Sequence, residues 1–157
     1  MKQDKFLTGI LIGIGALILL ALVLFLTRQD KRDYVSDTTP EGVVHNYVLA
    51  ILNKDYEKAY GYLADLDNKP TELQFRQSFL NGMVTPENAG VEVGKVETIG
   101  NEAYVSLTIY YSYNDPFSSR YGSTDRANLV RQNGAWKLSY MPYNFWDWNW
   151  YQEPYKP

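Results

Sequence analysis

Residues 102–113 read EAYVSLTIYYSY, and this stretch decides the fold class. Tyr, Val, Ile and Thr dominate it, and such side chains suit a pleated, half-buried surface. Its period is two. Val105, Leu107, Ile109 and Tyr111 fall on one face, and Tyr104, Ser106, Thr108 and Tyr110 on the other. Upstream, Val91 to Ile99 reads as a strand with an irregularity near Gly94, and Gly100-Asn101 as the turn between the two. Downstream, Asn114 to Ser123 contains Pro116 and Gly122 and reads as a loop, followed by a strand from Asp125 to Gln132. Asn133-Gly134 is the pair that a tight hairpin prefers, because both turn residues need positive φ. Trp136 to Tyr140 makes the last strand, with Trp136, Leu138 and Tyr140 on one side.

Before residue 90 the period is 3.6. Thr39-Pro40 supplies an N-cap and first helical residue, and Val44, Tyr47, Val48, Ile51 and Leu52 follow at helical spacing. Asp55 caps a second helix carrying Tyr56, Ala59, Tyr60 and Leu63 on one side. Residues 64–70 break it. Thr71 with Gln74 forms a capping-box pattern for a third helix, whose apolar residues are Leu73, Phe75, Phe79 and Leu80. Three helices followed by about four antiparallel strands predict an α+β domain with the helices on one face of a curved sheet.

At the N-terminus, Phe6 to Thr27 reads FLTGILIGIGALILLALVLFLT, with no charge between Lys5 and Arg28. As a helix it would be roughly 33 Å long, enough for a bilayer core of about 30 Å. A cleaved signal peptide would carry a shorter apolar core, about 7–15 residues, before a small-residue cleavage site. The run predicts an uncleaved anchor, with Phe6, Gly9, Gly13, Leu20 and Phe25 among its residues. Gly9 and Gly13 form a GxxxG spacing, which is either a helix-pairing motif or ordinary membrane glycine. The expected organisation is a head at 1–5, a transmembrane helix at 6–27, a charged stalk at 28–38 and a folded domain at 39–157 with an aromatic tail at 141–157. Lys2 and Lys5 before the span nearly balance Arg28, Lys31 and Arg32 after it, so charge does not orient it.

Composition excludes several classes. The 157 residues carry a net charge of −3, against the basic face of a nucleic-acid binder. There is no cysteine, hence no disulfide framework, thiol nucleophile or Cys-ligated metal. His45 is the single histidine; paired with Asp65 or Asp67 it makes only a weak acid–base candidate. No catalytic residue, metal or cofactor is assigned.

The candidate binding residues are aromatic. Tyr104, Tyr110, Tyr111, Tyr113 and Tyr121 gather around the long strand, either packing the sheet or lining a pocket for a small apolar or sugar-like ligand. The tail, YMPYNFWDWNWYQEPYKP, alternates Trp146, Trp148 and Trp150 with polar residues. As a strand it would turn all three indoles to one side. It either folds back over the pocket mouth or a sheet edge, presents an aromatic platform to a protein or glycan, or rests on lipid headgroups.

Three local patterns carry a family resemblance: the helix opening at Thr39-Pro40, the run Asp55-Tyr56-Glu57-Lys58-Ala59-Tyr60-Gly61-Tyr62-Leu63, and the hairpin Arg131-Gln132-Asn133-Gly134-Ala135-Trp136-Lys137-Leu138. Over residues 39–141 the chain resembles the nuclear transport factor 2-like superfamily, a cone-shaped α+β fold. The resemblance implies a pocket between sheet and helices, frequent dimers, and for membrane-tethered members a domain outside the cytoplasm. Family enzymes hold an acid or an Asp–His pair in that pocket, and the strong strand after Glu102 carries no Asp or Glu to match it. The expected function is therefore a membrane-anchored, extracytoplasmic binding or assembly-assisting domain, with the lipid bilayer and a protein partner or second copy as partners. The alternatives are a cofactor-independent isomerase or dehydratase, and a glycan-contact module built on the tail.

Overall fold

The computed structural model describes residues 5–27, 33–111 and 121–153. Tyr113 lies outside them, as do the side chains of Phe25 and Tyr121. The chain divides into two units, Met1–Asp33 and Tyr34–Pro157.

The first unit holds one helix, α1 (Lys5–Thr27). Its segment Phe6–Leu24 is long and apolar enough to cross a membrane. Phe6 and Leu20 are exposed, and a Cβ added at Gly9 or Gly13 would meet nothing within 4 Å.

The second unit is an α+β domain. It runs α2 (Pro40–Leu52), α3 (Tyr56–Gly61), α4 (Glu72–Leu80), then β1 (Ala89–Ile99), β2 (Glu102–Tyr111), β3 (Tyr121–Gln132) and β4 (Ala135–Tyr140). All three helices start where a side chain satisfies an orphan N–H. Thr39 accepts from Gly42, Asp55 from Lys58, and Thr71 with Gln74 closes a reciprocal box. The strands form an open antiparallel meander in the order β1-β2-β3-β4. A bulge interrupts β1 between Val93 and Val96, next to Gly94. At the β3–β4 turn, φ is 50° at Asn133 and 83° at Gly134. β4 is not a free edge, because Leu138 bonds backbone to backbone with Tyr62 and Ala64.

Val105, Leu107 and Ile109 are buried, as the alternation predicts, and α2 packs against that side of the sheet. Two expectations change. β3 begins at Tyr121, because residues 121–123, read as the end of a loop, pair with Ile109 to Tyr111. Leu52, Leu73 and Leu80 are exposed, leaving Phe75 and Phe79 as the apolar contribution of α4. Of the alternatives open for the tail, the fold-back is the one seen: after Pro142 it makes a 3-10 turn at Tyr143–Phe145 and then further turns, so its tryptophans do not share a face.

Close to the start of the domain, the chain is strapped to α2. The Asn46 side-chain amide bonds both ways with the backbone of Val35, at 2.9 and 2.8 Å. Val35 lies within the charged stretch read as a stalk.

Candidate functional site

The hollow between helices and sheet is filled by rings. Trp150 stacks on Phe75 with centroids 4.7 Å apart and meets Trp146 edge-on at 5.0 Å. Phe75 also meets Phe79 at 5.1 Å, and Trp146 stacks on Tyr151 at 5.7 Å. Pairs in these arrangements add to the apolar area they bury. Met141 and Phe145 are fully buried alongside.

Polar ties fix the tail in place. Tyr47 on α2 donates to the Phe145 carbonyl at 2.7 Å, and Tyr151 to the Ala64 carbonyl at 2.6 Å. Burial pushes both phenols up, Tyr47 well above its ordinary range. Ser78 on α4 donates to Asp147 Oδ2 at 2.5 Å. The other carboxylate oxygen accepts from the Asn149 backbone and side chain at 2.9 and 3.0 Å. Asp147 is thus a buried carboxylate whose acceptor capacity is largely taken up by Ser78 on α4 and Asn149 in the tail, as burial of a charge requires.

Among the described residues, two depressions lie on the helical side. The larger, about 930 Å³, lies among the end of α2, α3, α4 and the 3-10 turn Pro86–Asn88. Tyr56 and Phe79, stacked at 5.2 Å, both line it, and Lys54, Asp55, Glu57, Glu72, Arg76 and Glu87 give it mixed charge. The smaller, about 450 Å³, is bounded by α4, the connection at 68–70 and the folded-back tail. Its lining is dominated by side-chain amides.

The predicted binding residues scatter. Trp146 and Trp150 are 5% exposed and belong to the plug, whereas Trp148 is 77% exposed. Tyr104 and Tyr110 lie on the sheet face opposite the buried Val105, Leu107 and Ile109, away from the hollow. Tyr110 donates to Glu92 at 2.7 Å and Tyr104 to Glu102 at 2.5 Å. That bond, and the charge of Glu102, push the Tyr104 phenol up. Arg126 lies over the Tyr104 ring, 5.3 Å from its centroid. The tyrosines therefore pair with acids across an open face. His45 is partly buried on α2, while Asp65 and Asp67 are exposed in the connection after α3. Among the described residues, no group of three or more His, Asp or Glu side chains could hold a metal ion.

The smaller depression went unnoticed in the sequence, although one signal was present. Gln74, Gln77, Ser78 and Asn81 recur at helical spacing and give α4 an amide stripe beside its aromatic one.

No family model matches the chain, and no curated protein matches it. Among solved structures, the chain is similar to a SEC-C motif containing protein from Rhodopseudomonas palustris. The two are 14% identical, cover 68% and 79% of this chain and that one, and give a TM-score of 0.47. A nuclear transport factor 2-like protein of unknown function from Pseudomonas putida is 15% identical, with coverage of 61% and 76% and a TM-score of 0.42. A dehydratase candidate of the same family from Streptomyces avermitilis is 16% identical, with coverage of 64% and 93% and a TM-score of 0.35.

Proposed function

We propose that the chain is a membrane-tethered domain, held outside the cytoplasm, that works by binding at its surface rather than by chemistry in its hollow. The aromatic plug carries this reading. Tyr47, Phe75, Trp146 and Trp150 occupy the space between helices and sheet where a pocket enzyme of this shape would keep an acid over its substrate. Opening it would strip several buried rings of their contacts and expose their apolar surface to water.

The tether reading rests on α1. A helix apolar on every side needs a protein interior or a lipid environment, and its side chains here are exposed. Lipid satisfies the same requirement. The outward orientation follows from the resemblance of residues 39–141 to the nuclear transport factor 2-like superfamily.

Membrane fractionation of cells expressing the full chain with a C-terminal tag tests both parts. The tag should stay in the pellet after an alkaline wash, and external protease should remove it from cells whose wall has been opened. A soluble chain lacking Phe6–Thr27, or a tag protected from protease, would overturn the reading.

A further inference from the structure

We infer that the smaller depression is a saccharide-binding trough, taking a neutral, hydroxyl-rich chain along the amide stripe of α4. This rests on the surface-binding reading above and names its ligand class.

The trough measures about 450 Å³, inside the range of about 300–1,000 Å³ usual for small-ligand sites. Six side-chain amides line it: Asn68, Gln74, Gln77, Asn81, Asn149 and Gln152. An amide offers a donor and an acceptor side by side, and a sugar hydroxyl is likewise both, so the two match without any charge. Some of these groups are already committed. Gln74 Oε1 serves the cap of α4, Asn81 Oδ1 accepts from the Met83 backbone, and Asn149 Nδ2 bonds Asp147. The side chains of Asn68, Gln77 and Gln152 make no hydrogen bond among the described residues and are available.

The trough is lined by one cation and one carboxylate, a balance that favours a neutral ligand. Lys69 donates to the Leu63 carbonyl at 3.4 Å and lies 4.7 Å from the Tyr60 ring centroid. Asp147 is engaged by Ser78 and Asn149. A phosphate or acidic ligand would share the lining with the Asp147 carboxylate, and a cationic one would meet Lys69 there. A neutral ligand avoids both.

Indoles stand at and beside the trough. Trp150 reaches it only by an edge, being 5% exposed and packed against Phe75 and Trp146. Trp148 stands exposed between two lining residues, Asp147 and Asn149. An indole gives a large, stiff contact area at little entropic cost, suited to the apolar C–H faces of sugar rings.

The test uses the full chain in lipid nanodiscs. It is titrated with β-1,4-linked tetrasaccharides of glucose and of N-acetylglucosamine and followed by tryptophan fluorescence and calorimetry. At least one should bind saturably. Gln77→Ala and Gln152→Ala should each weaken that binding by about two- to tenfold, the loss expected for one hydrogen bond, and Trp148→Ala should weaken it as well. Inorganic phosphate should not compete. Near-ultraviolet circular dichroism checks that the buried rings are undisturbed in each variant. The inference falls if neither saccharide saturates, if the three variants bind like the parent, if phosphate displaces the sugar, or if a neutral polar peptide binds in its place. A chain that passes the membrane and protease assays yet ignores both sugars loses only the ligand class.

Discussion

The Tyr47 hydroxyl donates to the backbone carbonyl of Phe145 at 2.7 Å, across 98 residues of chain and inside the core. It joins the middle of α2 to the turn from which the tail folds back. Replacing Tyr47 with Phe keeps the ring and leaves the Phe145 carbonyl buried without that donor. The expected loss is about 1–3 kcal/mol of stability, read as a lower denaturant midpoint with an unchanged slope.

The three tail tryptophans should separate cleanly by stability. Trp150→Ala removes the ring stacked on Phe75 and edge-on to Trp146, and should cost about 3–5 kcal/mol. Trp148→Ala touches a side chain that is 77% exposed and should stay within about 0.5 kcal/mol of the parent. Thermal melts of the two variants side by side make the comparison.

Gly42 sits in the first turn of α2, where alanine would ordinarily favour the helix by up to about 1 kcal/mol. Here an added Cβ would overlap the Ser36 carbonyl oxygen, which approaches that position closely. Gly42→Ala should therefore destabilise the domain. It should also loosen the Val35–Asn46 pairing, so that amide exchange at Val35 accelerates more than exchange in β2.

Alkaline pH should unfold the domain through Tyr47 and Tyr151. Burial raises both phenols above their ordinary value near 10, and each holds its proton in the folded state longer than in the unfolded chain. Their contribution is fully present below about pH 10 and declines above it, where the unfolded chain ionises first. Stability measured from pH 9 to 11.5 should fall. Tyr151→Phe should start lower, because the Ala64 carbonyl loses its donor, but decline less steeply, by up to about 1.4 kcal/mol per pH unit.

Part of the candidate trough is legible in the sequence. Gln74, Gln77 and Asn81 are visibly spaced along α4, but nothing local says that the tail returns to wall them in. The Trp146, Trp148 and Trp150 alternation would set all three indoles on one side only if the segment were a strand. Its conformation is set instead by the vacancy among Tyr47, Phe75 and Phe79, which takes the indoles at 146 and 150 and leaves 148 in solvent.

The sequence by itself determined the apolar leading helix, the helix starts at Thr39, Asp55 and Thr71, the turn at Asn133-Gly134, and the inward face of β2. Each of these depends on groups within a few residues of one another, or on a strict period. Only the tertiary structure decided that the hollow is closed by its own tail, that Tyr104 and Tyr110 face outward with acidic partners, and that a trough of amides opens beside α4. Those features depend on volume and on long-range pairing, and neither is encoded in the spacing of neighbours along the chain.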